Sequence, residues 1–275
     1  MTTFKHPANF RSLRIAHVIA IFLMPVLLSG QSMQLALDAS EWNGFSSYPV
    51  KGRQGFLIKQ KLSFGIYFSP VVDRSWVSGS AMTSGLAIGT PEEPDYTKLF
   101  TKEHIRKKQT LFFCLKDSSG LETNVYCASR FKSKDFNIGN NPVSLVNILG
   151  DIAGIGDESS DFFYVQIYSG EKSPWHLMVD NEAAQRSPGT YRARLIKNKE
   201  TYYTLAPHAL VKNKKGKVGK MPFGSAGFQI RNGAGVPVAA VSLIDKGVVY
   251  LPNISAEERL LLASVCAALL LREEI

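Results

Sequence analysis

The side chains best suited to acid–base or metal chemistry are three histidines that follow the first 32 residues. His104, His176 and His208 lie far apart in sequence, and no pair has the i, i+4 spacing with which one helix face binds a metal. Ser225 stands in PFGSAG, where the first glycine is one place too late for the turn that exposes a nucleophilic serine. The sequence therefore predicts neither a metal centre nor a catalytic triad. A hydrolase would need His176 or His208 to meet an acid and a serine in space.

A glycine-rich acidic stretch could indicate a nucleotide-binding loop or a calcium site. Its glycines and acids are Gly150, Asp151, Gly154, Gly156, Asp157, Glu158 and Asp161. It has neither the glycine spacing of a nucleotide-binding loop nor the alternating oxygen ligands of an EF-hand. We expect a solvated acidic loop and no cofactor.

Three cysteines occur without a CxxC or Cys/His metal pattern. Cys266 lies within an apolar stretch and is expected to behave as a buried, unreactive hydrophobic residue. Cys114 and Cys127 flank an apparent hairpin, and an exported protein would permit a disulfide between them. A turn centred on Ser118 and Ser119 would not place them opposite each other, so the sequence leaves this bond open.

The densest basic run, VKNKKGKVGK, is the one candidate contact site. Its lysines are Lys212, Lys214, Lys215, Lys217 and Lys220. The small, turn-forming residues among them predict a loop that joins two strands and keeps the amines solvated. Each lysine near an anionic membrane surface can gain ~1 kcal/mol. An exposed hairpin kept soluble by its charge explains the same run equally simply.

The first 32 residues resemble an export signal. Lys5, Arg11 and Arg14 precede an apolar run, Ile15 to Leu28, and small residues follow. Cleavage after Ser32 or after Gly30 would suit this pattern. The alternative is an uncleaved membrane anchor, for which a run of 14 residues is short.

The charge of the chain gives only a weak indication of its partners. Removal of residues 1–32 takes away three basic and no acidic residues, so the formal charge falls from +9 to +6. A balance this mild permits contact with anionic lipid, but it does not predict nucleic-acid binding.

From residue 55 onward the sequence is a succession of short β-like runs between turn signals. In TYRARLIK, Tyr191, Ala193 and Leu195 alternate with polar residues, as in a strand with one face in water. About a dozen strands are expected, which favours a closed barrel without exposed edges. Residues 33–54 would form an N-terminal arm or first strand. Two regions depart from this pattern: residues 82–108, a long connection, and residues 133–160, where a short helix is expected after Pro142.

The C-terminus predicts a buried helix. Ser255 and Glu258 form a capping-box pattern, and LLLASVCAALLL follows without a charge from Leu260 to Leu271. Twelve residues extend ~18 Å as a helix, too short for a bilayer core of roughly 30 Å. A helix that is apolar all round must be enclosed by protein. We therefore expect a helix over residues 255–273 that plugs the barrel.

The hairpin FQIRNGAGVPVAAVSLIDKGVVYL and the apolar helix after it resemble the tubby C-terminal-like superfamily, which includes phospholipid scramblases and LURP-one-related proteins. The resemblance is one of layout and covers mainly residues 220–275. It implies a barrel of about twelve strands around a hydrophobic C-terminal helix. Tubby proteins bind phosphoinositides through basic residues, so the resemblance also implies a lipid partner.

Together these observations predict an all-β protein with a central helix: an export signal over residues 1–32 and one domain over residues 33–275. This domain would be a roughly twelve-stranded antiparallel barrel that encloses the C-terminal helix. The expected protein is exported, periplasmic or membrane-associated, and non-enzymatic. It would contact lipid or an anionic membrane surface. The alternative is a structural or protein-interaction module of the cell envelope.

Overall fold

A computed structural model describes residues 33–54, 60–75, 109–131, 162–170, 173–198, 200–222 and 224–272. The strands in these ranges are β1 (Gln34–Leu35), β2 (Ser46–Pro49), β3 (Gln60–Phe64), β4 (Tyr67–Ser75), β5 (Gln109–Lys116), β6 (Glu122–Phe131), β7 (Phe162–Tyr168), β8 (Trp175–Asp180), β9 (Ala193–Ile196), β10 (Tyr202–His208), β11 (Leu210–Lys212), β12 (Val218–Lys220), β13 (Gly227–Asn232), β14 (Pro237–Ser242) and β15 (Val248–Leu251). The helices are α1 (Asn181–Arg186) and α2 (Ala256–Leu271). Four predictions lie outside the described residues: the export segment, the connection over 82–108, the helix after Pro142 and the acidic glycine loop.

Twelve strands form one antiparallel sheet in the order β2-β15-β14-β13-β10-β9-β8-β7-β6-β5-β4-β3. Its two edges meet where Lys51 and Ser63 exchange backbone hydrogen bonds of 2.9 and 3.0 Å. A Cβ at Gly52 would come within 1.8 Å of the Lys61 carbonyl oxygen, so only glycine fits at this seam. The sheet is a nearly closed barrel, which confirms the predicted architecture.

Helix α2 fills the barrel. Every residue from Leu260 to Leu271 is buried, and the helix packs against β5, β6, β7, β14 and β15. Strands on several sides explain why the helix is apolar around its whole circumference. At roughly 1.5 to 3 kcal/mol for each buried side chain, its six leucines contribute on the order of 10 kcal/mol of gross burial energy.

At the N-terminus of α2, the Ser255 half of the predicted capping box forms and the Glu258 half does not. The Ser255 hydroxyl accepts a hydrogen bond from the Glu258 N–H at 3.3 Å. The Glu258 carboxylate, which the motif would turn back toward Ser255, accepts a hydrogen bond of 2.8 Å from the Tyr203 hydroxyl on β10. The helix is thereby joined to the barrel wall.

The C-terminus of α2 is held by Arg53, from the connection between β2 and β3, and by Arg74 of β4. Arg53 Nε donates to the Leu270 carbonyl at 3.1 Å, and Arg74 Nη2 donates to the Leu271 carbonyl at 2.9 Å. The backbone leaves the helical conformation at Arg272, where ψ is 128°. The helix therefore ends at Leu271, two residues before the predicted end, and charged side chains satisfy its last carbonyls.

Cys114 and Cys127 carry free thiols. The β5–β6 register pairs Leu111 with Cys127 and Cys114 with Asn124. Cys127 belongs to the barrel core, whereas Cys114 is half-buried outside that core. The turn position therefore keeps the two sulfurs apart, and the disulfide that the sequence left open does not form here.

A second, three-stranded sheet is formed by β1, β11 and β12. Its strands β11 and β12 belong to the connection from β10 to β13. Leu35 and Val211 pack with Trp42 and Ala226 against Ala240 of the barrel strand β14. Residues 33–54 therefore supply a strand to each sheet, because β1 belongs to the small sheet and β2 to the barrel.

Candidate functional site

The lysine run forms a hairpin, β11–β12, whose turn is fixed by Asn213. The Asn213 side-chain oxygen accepts hydrogen bonds from the N–H groups of Lys215 and Lys217 at 2.9 and 3.0 Å. Gly216 has φ +78°, a backbone conformation that glycine adopts without strain. The Asn213 side chain and backbone hydrogen bonds order the turn, and its lysines, Lys214, Lys215 and Lys217, are exposed.

The two strands of the hairpin present one outward face. Leu210 lies opposite Lys220, and Lys212 lies opposite Val218. Directly opposed residues share a face of an antiparallel pair, so these four side chains lie together. Leu210 is 43% exposed and Val218 56% exposed, whereas Val211, on the other face, is buried. The outward face combines two apolar side chains with two amines.

The positive charge of the hairpin is locally uncompensated. Within the described ranges, none of the five lysines forms an ion pair with a carboxylate. Lys214, Lys215, Lys217 and Lys220 are exposed, and Lys212 is half-buried. The predicted exposed loop is therefore confirmed for Lys214, Lys215 and Lys217, whereas Lys212 and Lys220 lie on the strands β11 and β12.

The base of the hairpin is held by the N-terminal arm. Gln34 pairs with Lys212 and Leu35 with Val211, and the Ala36 N–H donates to the Leu210 carbonyl at 3.0 Å. This pairing makes β11 the central strand of the small sheet. The hairpin is therefore part of a three-stranded sheet, whereas an isolated two-stranded hairpin is only marginally stable in water.

His208 links the arm to the barrel through both ring nitrogens. Its Nε2 lies 3.0 Å from the Ala36 carbonyl oxygen, and its Nδ1 lies 3.0 Å from Gln229 Nε2. An amide nitrogen only donates, so Nδ1 accepts and Nε2 carries the proton. Burial lowers the pKa of His208, and the Ala36 hydrogen bond partly offsets this effect. A neutral imidazole, with one donating and one accepting nitrogen, satisfies both hydrogen bonds.

The network continues to the surface through Arg231. Arg231 Nη2 donates to Gln229 Oε1 at 3.4 Å and to Glu41 Oε2 at 2.5 Å, while Arg231 Nη1 lies 3.2 Å from Glu41 Oε1. Such a forked pair fixes geometry as well as charge. The arm is therefore fastened to the barrel at Ala36 and again at Glu41.

The structure does not bring the candidate catalytic residues together. The Ala226 N–H donates to the His208 carbonyl at 2.7 Å, so Ser225 lies near this histidine along the backbone. Both His208 ring nitrogens are nevertheless engaged by Ala36 and Gln229. The His208 imidazole is therefore not available to activate Ser225.

His176 occupies a separate position on β8. Its Nδ1 lies 2.7 Å from the Tyr164 hydroxyl, and burial lowers its pKa to about 4. His104 lies outside the described residues. Over the described part of the chain, no group of three or more His, Cys, Asp or Glu side chains could hold a metal ion.

No protein-family model, curated protein or solved structure matches this chain. Among the described residues, neither helix combines the length and apolar character needed to cross a bilayer.

Two features of the site were missed from the sequence. One is the outward placement of Leu210 and Val218. The alternation of residues in ALVK and KVGK could have indicated which side chains point outward. That the two residues share a face depends on the β11–β12 register, which the sequence does not show. The other is the attachment of β1 to β11. A strand of two residues carries no periodicity from which its pairing could be found.

Proposed function

We propose that this protein is a non-enzymatic, exported barrel protein whose β11–β12 hairpin contacts an anionic membrane surface. The observation that carries the proposal is the outward hairpin face, where exposed Leu210 and Val218 lie beside Lys212 and Lys220. Lysines attract the negative surface, and apolar side chains between them can enter the interfacial region. The layout resemblance to the tubby C-terminal-like superfamily supports the same class of partner.

The expected affinity is moderate and salt-dependent. Five lysines at ~1 kcal/mol each set an upper bound of about 5 kcal/mol for the electrostatic contribution. Burying the exposed part of Leu210 and Val218 adds about 1 kcal/mol for each side chain. Because the larger share is electrostatic, salt should weaken binding strongly.

Vesicle co-sedimentation tests the proposal with two variants of equal net charge. One variant replaces the turn lysines Lys214, Lys215 and Lys217 by Gln. The control replaces three exposed lysines elsewhere, Lys51, Lys61 and Lys246, by Gln. We expect the turn variant to lose 10- to 100-fold in affinity for vesicles containing one quarter phosphatidylglycerol, since three lysines contribute at most about 3 kcal/mol, or roughly 140-fold. The control should bind nearly as the parent protein does.

Two results would refute the proposal. One is equal binding to phosphatidylcholine and to phosphatidylglycerol-containing vesicles. The other is equal affinity of the turn variant and the control, because only location on the surface distinguishes them. A chain that binds neither vesicle type would favour the structural or protein-interaction role in the envelope.

A further inference from the structure

The N-terminal arm, residues 33–45, covers an apolar surface on the outside of the barrel. Leu35 and Trp42 are buried side chains of the arm, with exposed fractions of 1% and 7%. They pack beside Val211 of β11 against Ala240 of the barrel strand β14. This cluster is separate from the core inside the barrel, so departure of the arm would leave that core intact.

Trp42 is the side chain of this cluster best suited to a bilayer surface. The centroid of its ring lies 4.7 Å from that of the Phe45 ring. Within the described part of the chain, the Trp42 indole N–H has no hydrogen-bond partner although its nitrogen is buried. A buried donor without an acceptor destabilises the closed position of the arm. At a membrane–water interface the same N–H finds acceptors while the ring stays in apolar surroundings.

The side-chain contacts that hold the arm closed form one connected chain through His208. Its members in order are the Ala36 carbonyl, His208, Gln229, Arg231 and Glu41. Both ends of this chain, Ala36 and Glu41, belong to the arm. All of its hydrogen bonds form only when the imidazole is neutral, because Nδ1 accepts from the Gln229 amide nitrogen.

Protonation of His208 disturbs this chain of contacts. An imidazolium donates from both nitrogens, so the Gln229 amide must turn its oxygen toward Nδ1. The amide nitrogen then faces Arg231 Nη2, and two donors meet where a hydrogen bond had been. The charged ring also stays beneath the arm, where burial lowers the pKa of His208. The proton is therefore bound more tightly when the arm is open and water reaches the ring.

His208 is the group of this network that titrates between about pH 7 and pH 5. The described charged groups on the elements around it are Asp38 and Glu41 of the arm, Arg231 of β13 and Lys212 of β11. None of these four contacts the imidazole directly. Hydrogen bonds from Ser40 lower the pKa of Asp38, and the bond from Arg231 lowers the pKa of Glu41. Both carboxylates therefore stay ionised over this range.

We infer that the arm is a membrane-contact element released by acid: protonation of His208 frees residues 33–45, and Trp42 with its apolar neighbours enters the anionic bilayer beside the lysine hairpin. This inference rests on the proposed function, because it adds an apolar contact to the surface that the hairpin binds. The arm pairs with β11, so its release uncovers the apolar cluster next to the basic turn. Release is coupled to one proton, so the ratio of open to closed arm rises by up to about tenfold for each unit of pH.

Quenching of tryptophan fluorescence by brominated lipid tests this inference. The protein recovered after export is mixed with vesicles of brominated phosphatidylcholine and one quarter phosphatidylglycerol, at about pH 7 and about pH 5. We expect quenching to rise several-fold at the lower pH, and Trp42→Phe should remove the increase. His208→Gln should also remove it, because glutamine offers one donor and one acceptor but takes no proton. The matched control is His176→Gln, a change at a buried histidine on β8, which should keep the increase.

Hydrogen exchange on the parent protein, without lipid, tests the release itself. The Ala36 N–H donates to the Leu210 carbonyl, whereas the Ser63 N–H donates to the Lys51 carbonyl at the barrel seam. From about pH 7 to about pH 5, the protection factor of Ala36 should fall several-fold while that of Ser63 stays unchanged. Equal protection of Ala36 at both pH values would overturn the inference, whether or not the variants fold.

The outcomes separate this inference from the proposed function. Quenching that does not change with pH overturns the inference, as does an acid response that His208→Gln retains. In either case, salt-sensitive binding through the turn lysines would leave the proposed function standing. A protein that binds anionic vesicles at neither pH overturns both.

Discussion

A buried pair of hydroxyl groups connects the central helix to the barrel wall. Ser264 of α2 and Thr123 of β6 have oxygens 2.6 Å apart, and Ser264 also donates to the Leu260 carbonyl at 2.8 Å. A serine hydroxyl has one proton, so Thr123 donates to Ser264. The other neighbour of the Thr123 oxygen is the Leu115 carbonyl at 3.4 Å. Both side chains are essentially inaccessible to water.

Removing either hydroxyl leaves the other poorly satisfied, so the two substitutions should be coupled. Ser264→Ala leaves Thr123 with the long contact to Leu115 and should cost about 1 to 3 kcal/mol of unfolding free energy. Thr123→Val keeps the shape but removes the donor, and should cost about 1 to 2 kcal/mol. The double variant removes both polar groups, so its cost should fall below the sum by about 1 kcal/mol or more.

Urea unfolding followed by circular dichroism measures these free energies. The matched control is Thr204→Val, a partly exposed site on the outer side of β10, combined with Ser264→Ala. That pair has no hydrogen bond in common and should be additive within about 0.5 kcal/mol. Additivity of Thr123→Val with Ser264→Ala, or no effect of either single change, would refute the assignment of this pair as a fixed contact of the helix.

Two further predictions concern burial. Leu262→Asp should abolish the cooperative unfolding transition, because an unpaired carboxylate would enter the barrel interior, whereas Glu257→Asp in the exposed first turn of α2 should keep it. For His176, the folded pKa of about 4 lies below the usual 6.5, so the unfolded chain binds the extra proton between these values. Stability should therefore fall as pH drops from 7 toward 4, by about 3 kcal/mol from this group. A His176→Gln variant whose pH dependence matches that of the parent would contradict the prediction.

The fold was predictable where one physical signal dominated. Leu260–Leu271 is apolar on every side of a helix, so the helix had to be enclosed by protein. The short apolar runs between many turn signals predicted the strands that enclose it. Ala193 and Leu195 alternate with Arg194 as a strand with one wet face should, and both are buried in the structure.

Other features depended on contacts that a local pattern does not contain. Strand β7 is covered on both faces. Phe163 and Val165 belong to the barrel core, and the residues that alternate with them, Phe162, Tyr164 and Gln166, are buried as well. The sequence of β7 therefore lacks the alternation of polar and apolar residues that would identify its inner face. The lysine density predicted an exposed hairpin. Its support could not be predicted, because β1 pairs with a strand far along the chain.

The position of α2 after all the described strands has a consequence for the order of folding. The strand that pairs with the edge strand β2 is β15, and the helix that fills the interior follows β15 directly. Until this last segment is available, the inner faces of the earlier strands have no helix to bury them. Contacts between such distant segments form slowly, because chain entropy is lost before they stabilise the structure. The barrel interior is therefore filled only once α2 has packed against strands that precede it by as much as half the chain.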